Sequence, residues 1–116
     1  NLSHAATVAQ VCKYYYMMAY GKLVNTVRST QMLSIMEHPA LHHKFVNTLD
    51  KIAPDARLFR KSGSWKNFHS DSILVWDKST NRHYILVALI DDANGEQIIR
   101  NLVKPIENVL KNTFSI

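Results

Sequence analysis

With 116 residues, 47% of them apolar and 20% charged, the chain has the size and make-up of one globular domain that can close a core without staples. Its longest apolar run, from Tyr84 to Ile90, falls far short of the roughly 18 residues that a membrane span needs. The net charge of +5 comes from scattered Lys and Arg, which gives little ground for a nucleic-acid partner, and the single cysteine, Cys12, excludes an internal disulfide.

Residues 5–20 predict a first helix, entered from Ser3 and closed by Gly21, which suits the left-handed position past a helix end. Val8, Val11, Tyr15 and Met18 recur at three- and four-residue steps and form a core-facing stripe. The run Tyr14-Tyr15-Tyr16-Met17-Met18 is wider than one stripe, so burial on two sides is expected, with Cys12 as an inert buried thiol. Asn25 caps a second helix through Met36, with Val27, Met32, Leu33 and Met36 inward, and Pro39 ends it. A shorter helical segment is expected over residues 41–49, then a turn at Pro54-Asp55.

From Arg57 the period changes. Residues 57–64, 72–77 and 83–90 read as three strands rich in Ile, Val, Phe, Tyr and Trp. The first, basic strand is expected to turn at Lys61-Ser62-Gly63, with the apolar strand resuming at Ile73. The link from Asp77 to Arg82 has the turn residues of a hairpin loop. The strand over Tyr84 to Ile90 lacks polar alternation, so both its faces should be covered. A last helix starts at Asn94, where Asn94 and Gln97 have capping-box spacing. Ile98, Ile99, Leu102, Val103, Ile106, Val109 and Leu110 form its sheet-facing stripe, and Pro105 should bend it.

The order is therefore helix, helix, helical segment, three strands, helix. This is an α/β chain of the α+β type, with an antiparallel sheet sandwiched by helices and open at both edges. With no initiator methionine at Asn1, it reads as the back end of a larger domain. Residues 1–53 would be a helical-lobe segment, and 54–116 three strands plus a C-terminal helix.

Lys61-Ser62-Gly63 stands on the first strand, directly after an all-helical segment, with a closing helix after the third strand. That order resembles the end of the penicillin-recognising serine hydrolases, class A β-lactamases and penicillin-binding transpeptidases, whose signatures include S-x-x-K, S-D-N and K-T-G. "DARLFRKSGSW" is similar to the strand that edges their active site, "DSILVW" and "HYILVALI" to the next two strands, and "GEQIIRNLVKPIENVLKNTF" to the C-terminal helix. The helical stretch from Ser3 to Met36, with its Gly-x-Leu turn, resembles the late helical-lobe segment, and class A enzymes resemble the chain most.

The resemblance implies an acyl-enzyme hydrolase of β-lactams or related amide, ester or peptide substrates, in the bacterial periplasm or outside the cell, with no cofactor. Lys61 would set a cation beside the substrate carboxylate, and Ser62 would offer it a hydroxyl. Gly63 would keep side-chain bulk out of the cleft. The main-chain N–H of Ser64 would be an oxyanion-hole donor, and Trp65 would wall the cleft or pack into the core.

The departures are equally specific. No Ser has Lys three residues on, so the nucleophile is absent and these residues alone cannot perform acyl transfer. Ser70-Asp71-Ser72 imitates S-D-N but follows Lys61, whereas the family's copy precedes its lysine. Glu37 lies too near Lys61 to belong to the loop carrying a deacylating glutamate. Arg60 should point away from the face of Lys61, leaving no arginine for the substrate carboxylate. His38 and His42 have i, i+4 spacing, but Pro39 between them and the lack of a third well-spaced ligand argue against zinc. The parent's partners would be a β-lactam or peptide-like substrate and the rest of the same domain, or a second copy meeting the sheet edges. The competing reading is a non-enzymatic basic α/β module that uses those edges for partners.

Overall fold

The structure, a computed structural model, describes residues 5–114. Four helices flank one antiparallel sheet: α1 (Val8–Ala19), α2 (Thr26–Met36), α3 (Phe45–Ile52), β1 (Arg57–Trp65), β2 (Phe68–Asp77), β3 (Arg82–Asp91) and α4 (Gly95–Phe114), with strand order β1-β2-β3.

Helix α1 starts later than expected because its capping box is built at Thr7: Thr7 Oγ1 accepts the Gln10 N–H at 3.1 Å, and Gln10 Oε1 accepts the Thr7 N–H at 2.8 Å. The expected entry residue, Ser3, lies outside the described residues. The helix ends where Gly21, at φ +69°, lets the Lys22 N–H fold back 2.7 Å onto the Met17 carbonyl. Tyr15 and Met18 are buried, but Tyr14, Tyr16 and Tyr20 are more than half exposed, so α1 buries one side and not two. Val8 is also exposed and Cys12 only half-buried. Burial still pushes the Cys12 thiol pKa up.

Asn25 caps α2 through its Oδ1, 2.8 Å from the Arg28 nitrogen. Met32, Leu33 and Met36 pack inward, whereas Val27 faces out. The segment expected over residues 41–49 forms instead as α3, displaced towards the C-terminus. Its first amide, that of Phe45, donates to Asp71 Oδ2 at 3.1 Å, so a tertiary acceptor sets the start.

Lys61-Ser62-Gly63 does not turn. These residues pair in register with Ser72, Asp71 and Ser70, and the chain reverses at Lys66-Asn67, with Lys66 at φ +53°. The β2–β3 loop is where the sequence put it, tied by Asp77, whose carboxylate accepts from the Ser79 N–H, Ser79 Oγ and Thr80 Oγ1. Those bonds hold its pKa below the usual carboxylate range.

Strand alternation divides the core in two. Leu58, Ile73, Val75, Leu86 and Ala88 meet Phe45, Val46 and Leu49 of α3 and Ile99 and Val103 of α4. On the opposite face Phe59 and Leu74, with Trp76 and Ile85 beside them, meet Tyr15 and Met18 of α1 and the inner side of α2. Each fully buried aliphatic side chain contributes about 1.5–3 kcal/mol by leaving water. The cover is incomplete: Leu89 on β3 and Ile98 and Val109 on α4 are exposed, against the expected continuous stripes. Helix α4 runs on through Pro105. The outer edge of β1 carries only an isolated antiparallel bridge, Glu37 to Phe59. Beyond it the edge is unpaired among the described residues, as is that of β3.

Candidate active site

The five residues of interest form the last half of β1. Lys61, Gly63 and Trp65 share the face of Phe59, while Ser62 and Ser64 share that of Leu58 and Arg60. Lys61 is exposed, and its ammonium donates to the Ser62 carbonyl. On the adjacent strand Ser72 Oγ donates to the Lys61 carbonyl at 3.0 Å, and Ser70 Oγ to the Gly63 carbonyl at 3.3 Å. The Lys61 and Gly63 carbonyls therefore face β2. Because successive residues alternate, the main-chain groups of Ser62 and Ser64 turn to the free edge. The Lys61 cation and the Ser64 N–H thus lie along one unpaired edge.

Gly63 has an ordinary backbone conformation, and a Cβ there would come 2.9 Å from Ser70 Oγ. The room it leaves is first of all room for Ser70. Trp65 is not a core residue: it is 69% exposed, with Lys66 Nζ 5.6 Å from its ring centroid.

Helix α1 supports this strand from one side. Tyr15 OH lies 3.0 Å from the Ser72 carbonyl and 2.9 Å from Ser72 Oγ, the hydroxyl that in turn holds Lys61. Burial pushes the Tyr15 pKa up to about 12.

On the other side lies a buried charge network. Arg60 grips Asp71 with Nε to Oδ1 at 2.7 Å and Nη2 to Oδ2 at 3.1 Å, both side chains almost wholly enclosed. Nη1 also donates to the Leu41 carbonyl at 2.7 Å, and the second Nη2 hydrogen is shared between the His43 carbonyl at 3.1 Å and His43 Nδ1 at 2.7 Å. Accepting from a guanidinium requires an unprotonated His43 Nδ1, and burial, with Arg60 and Lys44 nearby, lowers the His43 pKa. Arg60 therefore does point away from Lys61, and its task is to tie β1 to β2 and to the chain entering α3. Asp71, at the centre of the S-D-N imitation, is a structural carboxylate.

Lys44 is a second buried cation, within electrostatic reach of this network but bonded to other groups. It is fully buried, sits at φ +56° just before α3, and donates to the Gly63 carbonyl (2.9 Å), Ser64 Oγ (2.9 Å) and the Ser70 carbonyl (3.0 Å). Burial lowers its pKa. Nothing in the sequence reading singled out Lys44. The signal available was a lysine at the head of an apolar helical stretch, a place where solvent-exposed lysines also occur. Arg60 and Asp71 were more legible: placing the turn at Lys66-Asn67 makes them diagonal neighbours on one face.

The remaining candidates have partners elsewhere. Glu37 pairs with Arg57 at 2.7 and 3.0 Å, which holds its carboxyl pKa down. His42 Nδ1 contacts Asp50 Oδ2 at 2.8 Å, His43 meets Arg60, and His38, at φ +62°, lies within electrostatic reach of Glu37. Two surface cavities lie away from the strand, of about 460 Å³ beside the β2–β3 hairpin and the end of α4, and about 570 Å³ between α3 and α4. The edge at Lys61 is open to solvent, where the sequence reading expected a cleft.

Four helices around a three-stranded antiparallel sheet form an α+β, β-lactamase-like arrangement. A family model described as the β-lactamase enzyme family matches residues 1–114, and the chain belongs to that family. No curated protein and no solved structure matches it.

Proposed function

We propose that the chain is the oxyanion-hole and carboxylate-binding part of a serine hydrolase that works through an acyl-enzyme, on β-lactams or related amide, ester or peptide substrates. Lys61 supplies the cation for the substrate carboxylate and Ser62 a hydroxyl. Gly63 leaves the approach open, and the Ser64 N–H receives the developing oxyanion, a contribution of about 3 kcal/mol per donor in such sites. Trp65 flanks the ligand. The serine nucleophile and its base come from outside these 116 residues, since no S-x-x-K occurs among them. The chain alone is then inactive, and the full enzyme acts in the periplasm or outside the cell.

The observation that carries this reading is the shared edge: the Lys61 ammonium rests on the Ser62 carbonyl, one step along the same unpaired edge from the Ser64 amide. The exposed Tyr16 and Tyr20 at the end of α1, their ring centroids 4.6 Å apart, support it as well, being apolar surface suited to cover by the rest of the domain.

The test is expression of the coding region extended upstream to the first in-frame S-x-x-K, followed by incubation with a labelled penicillin and an activated ester. Covalent label on the extended protein, none on the 116-residue chain, and at least a tenfold slower label after Lys61→Ala are expected. An extended, folded protein that neither labels nor turns over any of these acyl substrates overturns the reading and favours an interaction module.

A further inference from the structure

The sequence resemblance assigns no role to Lys44, yet its ammonium is the most completely enclosed cation near the candidate site. It sits beneath the end of the β1–β2 hairpin, and its three acceptors are all uncharged: the Gly63 carbonyl, Ser64 Oγ and the Ser70 carbonyl. An ammonium has three N–H donors, so this set fits the charged form with none left over. The nearest buried carboxylate, Asp71, gives its oxygens to Arg60 and to the Phe45 N–H. The charge of Lys44 is thus not cancelled by a salt bridge, and what it acts on is the peptide groups it touches.

One of those is the Gly63–Ser64 peptide. A trans peptide directs its C=O and N–H to opposite sides. Lys44 therefore holds the carbonyl from within while the Ser64 N–H faces the open edge. A cation on the oxygen draws electron density through the amide and makes its N–H more acidic and a stronger donor. The contact to Ser64 Oγ keeps the same residue from swinging out of line.

We propose that Lys44 is a positioning residue for anion stabilisation: through the Gly63 carbonyl it polarises the Ser64 N–H and fixes its direction at the sheet edge. This rests on the role given above to Ser64, and its first test needs no nucleophile. The same contact on Ser70 polarises the Ser70–Asp71 peptide. Two amides, Ser64 and Asp71, should then respond together, although only one is at the candidate site.

The test is amide NMR and hydrogen exchange on the 116-residue chain, comparing Ser64 with Ser62. Both amides turn to the same edge, but the carbonyl preceding Ser62 faces the Ser72 main chain and takes the neutral Ser72 hydroxyl, where the carbonyl preceding Ser64 takes an ammonium. In the unaltered protein, base-catalysed exchange corrected for sequence should be faster at Ser64 than at Ser62. In Lys44→Met, Ser64 exchange should slow and the Ser64 and Asp71 amide resonances should move upfield together. Lys44→Arg should restore part of both changes. If Lys44→Met does not fold, the comparison within the unaltered protein decides. Equal corrected rates there, or a Lys44→Met chain whose Ser64 amide is unmoved, overturn the proposal.

In an extended, active protein, Lys44→Met should lower kcat about two- to eightfold with KM unchanged. That range is a 10–30% share of the 10²–10³-fold value of one oxyanion donor. Failure of penicillin labelling with the NMR result intact would refute the catalytic reading and leave the polarisation standing.

Discussion

Removing Asp71 should unfold this chain more readily than any other single change on the sheet. In Asp71→Ala, the Arg60 guanidinium, whose side chain is only 3% exposed, loses both carboxylate bonds. At the same time the Phe45 N–H at the start of α3 loses its acceptor. Breaking a buried pair from one side costs about 3–5 kcal/mol, because the remaining charge stays desolvated. An ordinary domain has about 5–15 kcal/mol in total, so the loss is a large share of it. For a chain of this length it should lower Tm by more than about 10 °C.

Removing both partners should behave differently. Arg60→Met with Asp71→Val leaves no buried charge, and hydrocarbon replacements of buried pairs are often close to neutral. Recovery should be partial, since the carbonyls of Leu41 and His43 lose their donor. Urea unfolding followed by circular dichroism gives all four corners of the cycle. The coupling between the two sites should exceed about 2 kcal/mol. If Asp71→Ala falls within 1 kcal/mol of the parent, or the double variant is no more stable than Asp71→Ala, the network does not act as described.

Tyr15 gives a pH-dependent check. Its pKa is raised to about 12 in the folded state from 10.0, so its contribution is fully present below pH 10 and is lost as pH rises towards about 12. Up to about 2–3 kcal/mol should disappear across that window, and Tyr15→Phe should flatten this part of a stability-against-pH curve. The two strand-facing glycines should differ under the same substitution. Gly63→Ala places a Cβ against only Ser70 Oγ, so it should cost under about 1 kcal/mol and be relieved by Ser70→Ala. Gly95→Ala drives a Cβ to 2.6–2.8 Å from three His69 atoms and should cost about 1–3 kcal/mol, relieved by His69→Ala, by thermal melting. Thr7→Ala removes half of the α1 capping box and should cost about 1 kcal/mol by the same measurement.

The amino-acid sequence by itself determined the element order, the α+β class and the caps at Asn25 and Gly21. These are local matters of period, capping oxygen and backbone freedom, which a short window of residues settles. It also placed Arg60 on the face opposite Lys61, because alternation along a strand needs no partner. The turn went wrong for a local reason too: Gly63 reads as a turn residue, whereas the chain reverses at Lys66-Asn67, where a lysine takes a positive φ that few would assign to it.

Only the tertiary structure decided the rest. Helix α3 begins at Phe45 because Asp71, a residue 26 positions away, accepts its first amide. The aromatic run on α1 buries Tyr15 alone while Tyr14 and Tyr16 face out, a division made by which side the sheet occupies. Lys44 looked like any solvated lysine until the hairpin end closed over it and supplied three carbonyl and hydroxyl oxygens. Burial and long-range hydrogen bonds are sums over residues distant in the chain, so no local pattern encodes them.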